Sequence, residues 1–243
     1  MTPTYVYGLV AADTVVPEGL SGLGPSERVS TVTHGQVAAI VSDVPIDRPL
    51  GTRDDLIAHE TVVDAVARSA AVLPMRFPAV VEDHGIVEEL LAPNHDHFLQ
   101  VLTALEGRVQ FTLKGRYEQD TVLRELLRDN TEIRELRDQV GELPEDASYY
   151  DRVRLGELIV AELERRRDDE AAGILDRLEP TVVDLAARHP ATPEDVINVA
   201  FLVERAHQQR FEDSVEDLGR DLDGRVRFRL LGPLAPYDFV PEA

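Results

Sequence analysis

Eight residues from Val196 to Val203 are apolar on both pleat faces, with Asn198 the one polar member, and are rich in β-branched and aromatic side chains. A strand of that kind offers little to water on either pleat face, so it reads as an interior strand of a sheet. The run is far shorter than the ~20 residues that span a bilayer. The remainder of the chain must therefore supply its sheet neighbours and covering helices. Two segments read as such neighbours. From Gly107 the period is two: Val109, Phe111 and Leu113 alternate with Arg108, Gln110, Thr112 and Lys114, the pattern of a half-buried strand. Arg225 to Leu231 alternates as cleanly after a turn at Asp223-Gly224, with Val226, Phe228 and Leu230 as its inward set.

Helical periodicity fills the gaps between these strands. Val122 to Leu127 and Ile133 to Val140 precede a break at Leu143-Pro144. A further helix restarts with Ser148 as its cap and carries Tyr149, Val153, Gly156, Val160 and Leu163 along one face towards Leu178. Pro180, Pro190 and Pro193 punctuate the path to the interior strand, and Gln208 to Leu222 forms a charged amphipathic helix. Strand, helices, strand, helix, strand is the order of a ferredoxin-like α+β sandwich with a helical insertion.

The opening part reads as a second α+β unit. Tyr5 to Ala11 is a strand, and Val29 to Ser42 folds back at His34-Gly35 as a hairpin. Thr52 and Asp55 form a capping-box start for a helix of roughly five turns with Leu56, His59, Val63, Val66 and Ala70 on its apolar stripe. Proline-bracketed Val72 to Pro78 is extended, and two short helical patterns run from Ile86 to Leu105. The expected fold is α+β with two domains of ferredoxin-like character. Residues 1–105 form the first, and residues 106–243 form the second, with its insertion at about 118–190.

Composition narrows the chemistry. The 243 residues include no cysteine, which excludes a disulfide framework, a thiolate metal site, an iron–sulfur cluster and a cysteine nucleophile. With 25 basic against 46 acidic residues the formal charge is −21, a sign that repels nucleic-acid phosphates and anionic lipid alike. Residues 118–243 hold 17 basic and 31 acidic groups, which reads as a solvated helical surface. Met1 precedes Thr-Pro-Thr-Tyr rather than a basic region and an apolar run, so the expected location is cytoplasmic. His95-Asp96-His97 lacks metal-ligand spacing on a helix. Gly22-Leu23-Gly24-Pro25 lacks the rest of a dinucleotide fingerprint, and Lys114 is the single lysine. His59 beside Glu60 is either an acid–base pair or a hydrogen-bonded core histidine. No catalytic residue, metal ligand or cofactor site is expected, and the chain does not read as an enzyme.

What remains is surface. If Val226, Phe228 and Leu230 face inward, then Arg225, Arg227 and Arg229 share the opposite face, and Arg108 and Lys114 extend it on the neighbouring strand. This very acidic chain then carries a basic sheet face. Either it docks an acidic or amphipathic partner, or its arginines pair with acidic residues of the chain itself.

Three blocks together resemble the gas vesicle protein F/L family nearly end to end. They are Tyr5-Val6-Tyr7-Gly8-Leu9-Val10, then His59-Glu60 with Val62-Val63 and Val72-Leu73-Pro74-Met75-Arg76-Phe77, and finally Leu231 to Val240 with its Gly232-Pro233-Leu234-Ala235-Pro236-Tyr237 core. Departures from the family pattern are Pro78, Gln110 and Ala235. The resemblance implies two α+β domains of ferredoxin-like character. It also implies a non-enzymatic role in gas vesicle assembly, with the hydrophobic shell protein and other accessory proteins as partners, neither nucleic acid nor lipid membrane among them, and a location at the vesicle. Within these blocks Arg76, next to Phe77, is either a structural ion pair or an exposed contact, and Tyr237 is expected to pack the C-terminus onto the second domain. The partner-binding candidates are thus Arg76, Phe77, Arg225, Arg227, Arg229 and Tyr237. The alternative function is a small-ligand regulator or enzyme on tandem ferredoxin-like domains, with His59, Glu60 and Arg76 as its polar site.

Overall fold

The structure is a computed structural model that describes residues 3–23, 28–44, 49–81, 85–142, 144, 148–190, 192 and 194–240. Gly24, Pro25, Leu143 and Pro193, which the sequence reading uses as punctuation, lie outside the described residues. The chain forms two compact units, one of Met1–Phe111, Leu202–Ala206 and Gly232–Ala243, the other of Thr112–Phe201 and His207–Leu231.

In the first unit β1 (Thr4–Ala11), β2 (Ser30–His34), β3 (Val37–Asp43) and β4 (Leu73–Pro74) are arranged in the order β2-β3-β1-β4, while the short β5 (Val80–Val81) also pairs β1. Numbered along the chain, that is the strand order of a ferredoxin-like sheet, and every pairing is antiparallel. The β2–β3 hairpin turns at Gly35, whose φ of +58° suits glycine. A bulge between Val6 and Gly8 shifts the register against β3. It lets Tyr5, Tyr7 and Val10 enter one core while Val6 and Leu9 enter the other.

Two helical layers cover that sheet. On one side lies α1 (Arg53–Ala67), begun by a true capping box in which the Thr52 and Asp55 side chains each accept the other's backbone N–H. It has 15 residues, about four turns rather than five. Its buried line is Asp55, His59, Val62, Val63, Val66 and Ala67, so Leu56, expected inside, is exposed. On the other side a π-helical stretch, Ile86–Leu91, leads into α2 (Ala92–Leu105), and Ile86, Leu91, Val101, Leu102 and Leu105 pack there with Val6, Leu9 and Leu73. No basic residue stands in the last turn of α1. Arg205 supplies that charge instead, donating from Nη1 to the Arg68 carbonyl at 2.8 Å and from Nη2 to the Ala67 carbonyl.

The second sheet consists of β6 (Arg108–Tyr117), β7 (Asp184–Ala187), β8 (Asp195–Glu204) and β9 (Val226–Leu234), in the order β7-β8-β6-β9. This antiparallel sheet again has the ferredoxin-like order. β8, expected as the interior strand, is interior and buried from Val196 to Val203 apart from half-buried Asn198. Between β6 and β7 run α3 (Gln119–Asp129), α4 (Thr131–Glu142) and α5 (Tyr149–Leu178), and α6 (Gln208–Asp221) links β8 to β9. Phe211, Val215 and Leu218 of α6 are buried, with the Phe211 ring 5.5 Å from that of Phe201.

Several expectations are corrected. Gln110 and Thr112 are buried, not exposed. Gln110 is satisfied by Asp238, donating from Nε2 to Oδ2 at 2.6 Å and accepting the Asp238 N–H at 3.1 Å. Tyr237, expected to pack onto the second domain, joins the α1-side core of the first unit together with Ala235, while Asp238 of the same segment holds Gln110 of β6. Ser148 does not cap α5 with its side chain, because its hydroxyl is turned to the Pro144 carbonyl at 3.0 Å. The apolar face of α5 is not covered: Tyr149 is 63%, Val153 46% and Val160 48% exposed. β7 was missed, being a short edge strand with an exposed face and little apolar pattern.

Candidate interaction surface

The alternation of β6 and β9 leads to a single surface in the second unit. A concavity of about 620 Å³ is lined by Lys114 and Arg116 of β6, Arg227, Phe228 and Arg229 of β9, and Ile197 and Asn198 of β8, with Glu118, Glu194 and Asp195 at its margin. Four cations thus converge on one hollow of a strongly acidic chain. Gly115, between Lys114 and Arg116, points to the opposite face of the sheet, where a Cβ would sit 2.9 Å from Ile197 Cγ2 and 3.0 Å from Phe228 Cε1. Arg116 is the member that sequence reading missed. It continues the alternation past Lys114, the last residue of the strand expected from sequence.

Charge pairing within this surface is partial. Arg116 Nε donates to Asp195 Oδ1 at 2.8 Å and Arg227 Nη2 to Glu118 Oε1 at 2.6 Å. The Arg227 side chain is nonetheless 79% exposed, so its pair is screened and weak. Lys114 and Arg229 form no ion pair among the described residues. The Asn198 side-chain oxygen is buried there and has no hydrogen-bond partner among the described residues.

Arg225 does not belong to this face, contrary to the alternation argument. It precedes β9, at the turn formed by Gly224 (φ +71°), and its guanidinium reaches the helical layer. Nε donates to Glu125 Oε2 at 2.9 Å and Nη1 to Glu170 Oε1 at 2.6 Å. Burial, and next the Glu170 carboxylate, push the neighbouring Tyr117 hydroxyl's pKa up. The self-pairing reading of the arginines therefore holds for Arg225.

The candidates from the first unit divide into one exposed residue and two aromatics that share a neighbour. Arg76 is exposed, while Phe77 and Tyr237 are half-buried around His59. The His59 ring is stacked with Tyr7, edge-on to Tyr5 and Phe77 and tilted against Tyr237, with all four centroids within 6.2 Å. Its Nδ1 is hydrogen-bonded to the Tyr5 hydroxyl at 2.9 Å. Glu60 is exposed on the same helix. His59 is thus sealed in a ring of aromatics and shares no open polar site with Glu60 and Arg76. Burial pushes the His59 pKa down to about 4, with the Met75 carbonyl pulling slightly the other way.

That depression has a measurable consequence. Between pH 6.5 and about 4 the unfolded chain binds a proton that the folded ring refuses, so stability falls as pH falls through this window and levels off below it. By pH 5 the loss is about 2 kcal/mol. The half-buried Asp64 carboxyl, which accepts the Ala235 N–H at 3.0 Å, has a pKa raised by burial and acts in the opposite sense. Urea titrations at a series of pH values should show the slope for the parent chain and lose the histidine part of it in His59→Gln.

His95 is engaged by neighbouring groups on both ring nitrogens. Its Nε2 accepts the Gln36 N–H at 3.2 Å and its Nδ1 meets Asp96 Oδ1 at 3.1 Å. Among the described residues no cluster of His, Asp and Glu is placed to hold a metal ion, and no helix is long and apolar enough to cross a membrane.

Comparison with known proteins decides the family. Residues 3–241 match the family model described as "Gas vesicle synthesis protein GvpL/GvpF". The chain belongs to the GvpL/GvpF family. Among relatives in this family, gas vesicle protein F of Streptomyces sp. (strain CB03234) is 32% identical over 98% of this chain and 99% of its own. Gas vesicle protein L of the same strain is 30% identical over 97% and 92%. The crystal structure of GvpF from Anabaena sp. PCC7120 matches with a TM-score of 0.86 at 25% identity, covering all of both chains. GvpF from Microcystis aeruginosa shares the fold with a TM-score of 0.79, again over both full chains. This GvpL/GvpF chain therefore has a gas vesicle-related role.

Proposed function

We propose that this chain is an accessory protein of gas vesicle assembly that binds the hydrophobic shell protein and other accessory proteins. It works in the cytoplasm and at the vesicle and carries out no catalysis of its own. The observation that carries this reading is the concavity that gathers Lys114, Arg116, Arg227 and Arg229, a basic hollow on a chain of net charge −21. A shell protein built to exclude water exposes apolar surface before it assembles, and such surface aggregates edge to edge. An acidic protein that covers it reversibly keeps it dispersed, because the complex inherits the charge. Strand addition at a sheet edge and a shell helix laid in a groove are both compatible modes. Arg227 and Arg229 are the proposed contacts of the second unit, and Arg76 the exposed contact of the first. Phe77 and Tyr237 support Arg76 from within the core.

The test dilutes the shell protein from denaturant with and without this chain and follows light scattering and co-sedimentation. Near-stoichiometric suppression of aggregation with a recoverable complex is expected. Unchanged aggregation, with no complex recovered, would refute the shell-binding role.

A further inference from the structure

Two unexplained features of the second unit fit each other. The first is the uncovered stripe of α5. Tyr149, Tyr150, Val153 and Val160 are exposed, and Tyr149 and Val160 are separated by about 16 Å along the helix. Glu157 and Glu164 lie on the same side at helical spacing, about 10 Å apart, and neither has an ion pair among the described residues. The stripe is thus apolar with an acidic border. Exposed apolar side chains gathered on one side of a helix and rimmed by charge have the composition of an interaction site. The second feature is the concavity, which offers the complementary chemistry: the apolar stems of Arg116 and Arg227 beside Lys114 and Arg229, the two cations that also have no ion pair among the described residues.

We propose that the α5 stripe of a second copy of this chain occupies the concavity, with Glu157 and Glu164 meeting Lys114 and Arg229 and the tyrosine and valine side chains lying over the apolar stems of Arg116 and Arg227. A contact between two different patches of the same chain produces either reciprocal dimers or head-to-tail arrays, according to whether the rotation closes. Its charged rim makes association salt-dependent, and its apolar centre keeps it measurable at moderate salt. This inference goes beyond shell binding and is decided with the purified chain alone.

Sedimentation velocity of the full chain from about 1 to about 100 μM, at low and high salt, should show concentration-dependent association that weakens as salt is raised. The double variants Lys114→Glu/Arg229→Glu and Glu157→Lys/Glu164→Lys should each lose association by about tenfold or more, because each then sets like charges against like. All four positions are exposed, and circular dichroism and urea midpoints verify that the variants stay folded. An equimolar mixture of the two double variants should associate again, since each supplies the charge that the other lacks. A parent chain that stays monomeric throughout overturns the proposal, as does a mixture that remains dissociated. If Lys114→Glu/Arg229→Glu leaves self-association intact but abolishes shell-protein binding, the concavity belongs to the shell protein and the self-docking is refuted.

Discussion

Gly232→Val should destabilise the chain by about 3–5 kcal/mol, the sum of an overpacked core and a side chain at positive φ. Gly232 stands at φ +149°, and a Cβ there would enter the Phe111 ring, its Cε1 and Cγ atoms 2.9 Å away. Phe111 is buried and rigidly placed in β6, so the ring has nowhere to go. Urea denaturation gives the value directly. Phe111→Leu in the Gly232→Val background should recover the steric part and leave the φ penalty, and a double variant no more stable than the single one would show that the Phe111 contact is not the cause.

Arg225→Met should cost about 3–5 kcal/mol, because it strands two carboxylates that were neutralised by one guanidinium. Glu170 is the more damaging of the pair, its side chain being only 10% exposed and facing the buried Tyr117 hydroxyl. Adding Glu170→Gln should return a substantial share of the loss, and a double-mutant cycle measured by urea titration isolates that coupling. Arg227→Met, by contrast, touches only an exposed pair and should change stability by about 0.5 kcal/mol or less. The same sequence pattern, three arginines at alternate positions, thus yields one structural residue and two surface ones.

That difference shows where sequence reading stops. The interior strand at Val196–Val203, the β2–β3 hairpin and the capping box at Thr52 were legible because each is a local rule with a local cause. So was the alternation that gathers Lys114, Arg227 and Arg229. For Arg225 the sequence offered docking and self-pairing alike and could not choose, since its partners Glu125 and Glu170 are 100 and 55 residues away in the chain. Gln110 was misplaced for the same reason: its hydrogen-bond partner Asp238 lies 128 residues on, and nothing in an alternating strand signals that its polar side is covered. The α5 stripe failed in the other direction. Periodicity identifies an apolar face but not whether the chain supplies anything to cover it, and here Tyr149, Val153 and Val160 remain open.

The first unit is assembled from three separated stretches of sequence, and that sets a timetable on the ribosome. Helix α1 receives its C-terminal charge from Arg205, and its core receives Ala235 and Tyr237 from the last dozen residues. A nascent chain carrying residues 1–111 alone holds every strand of that sheet but has an open side on its α1 core. The second unit's residues are all made before those final ones leave the exit tunnel. The domain that is translated first is therefore the one completed last, and fragments ending before residue 232 should be substrates for chaperones and proteases rather than miniature versions of the protein.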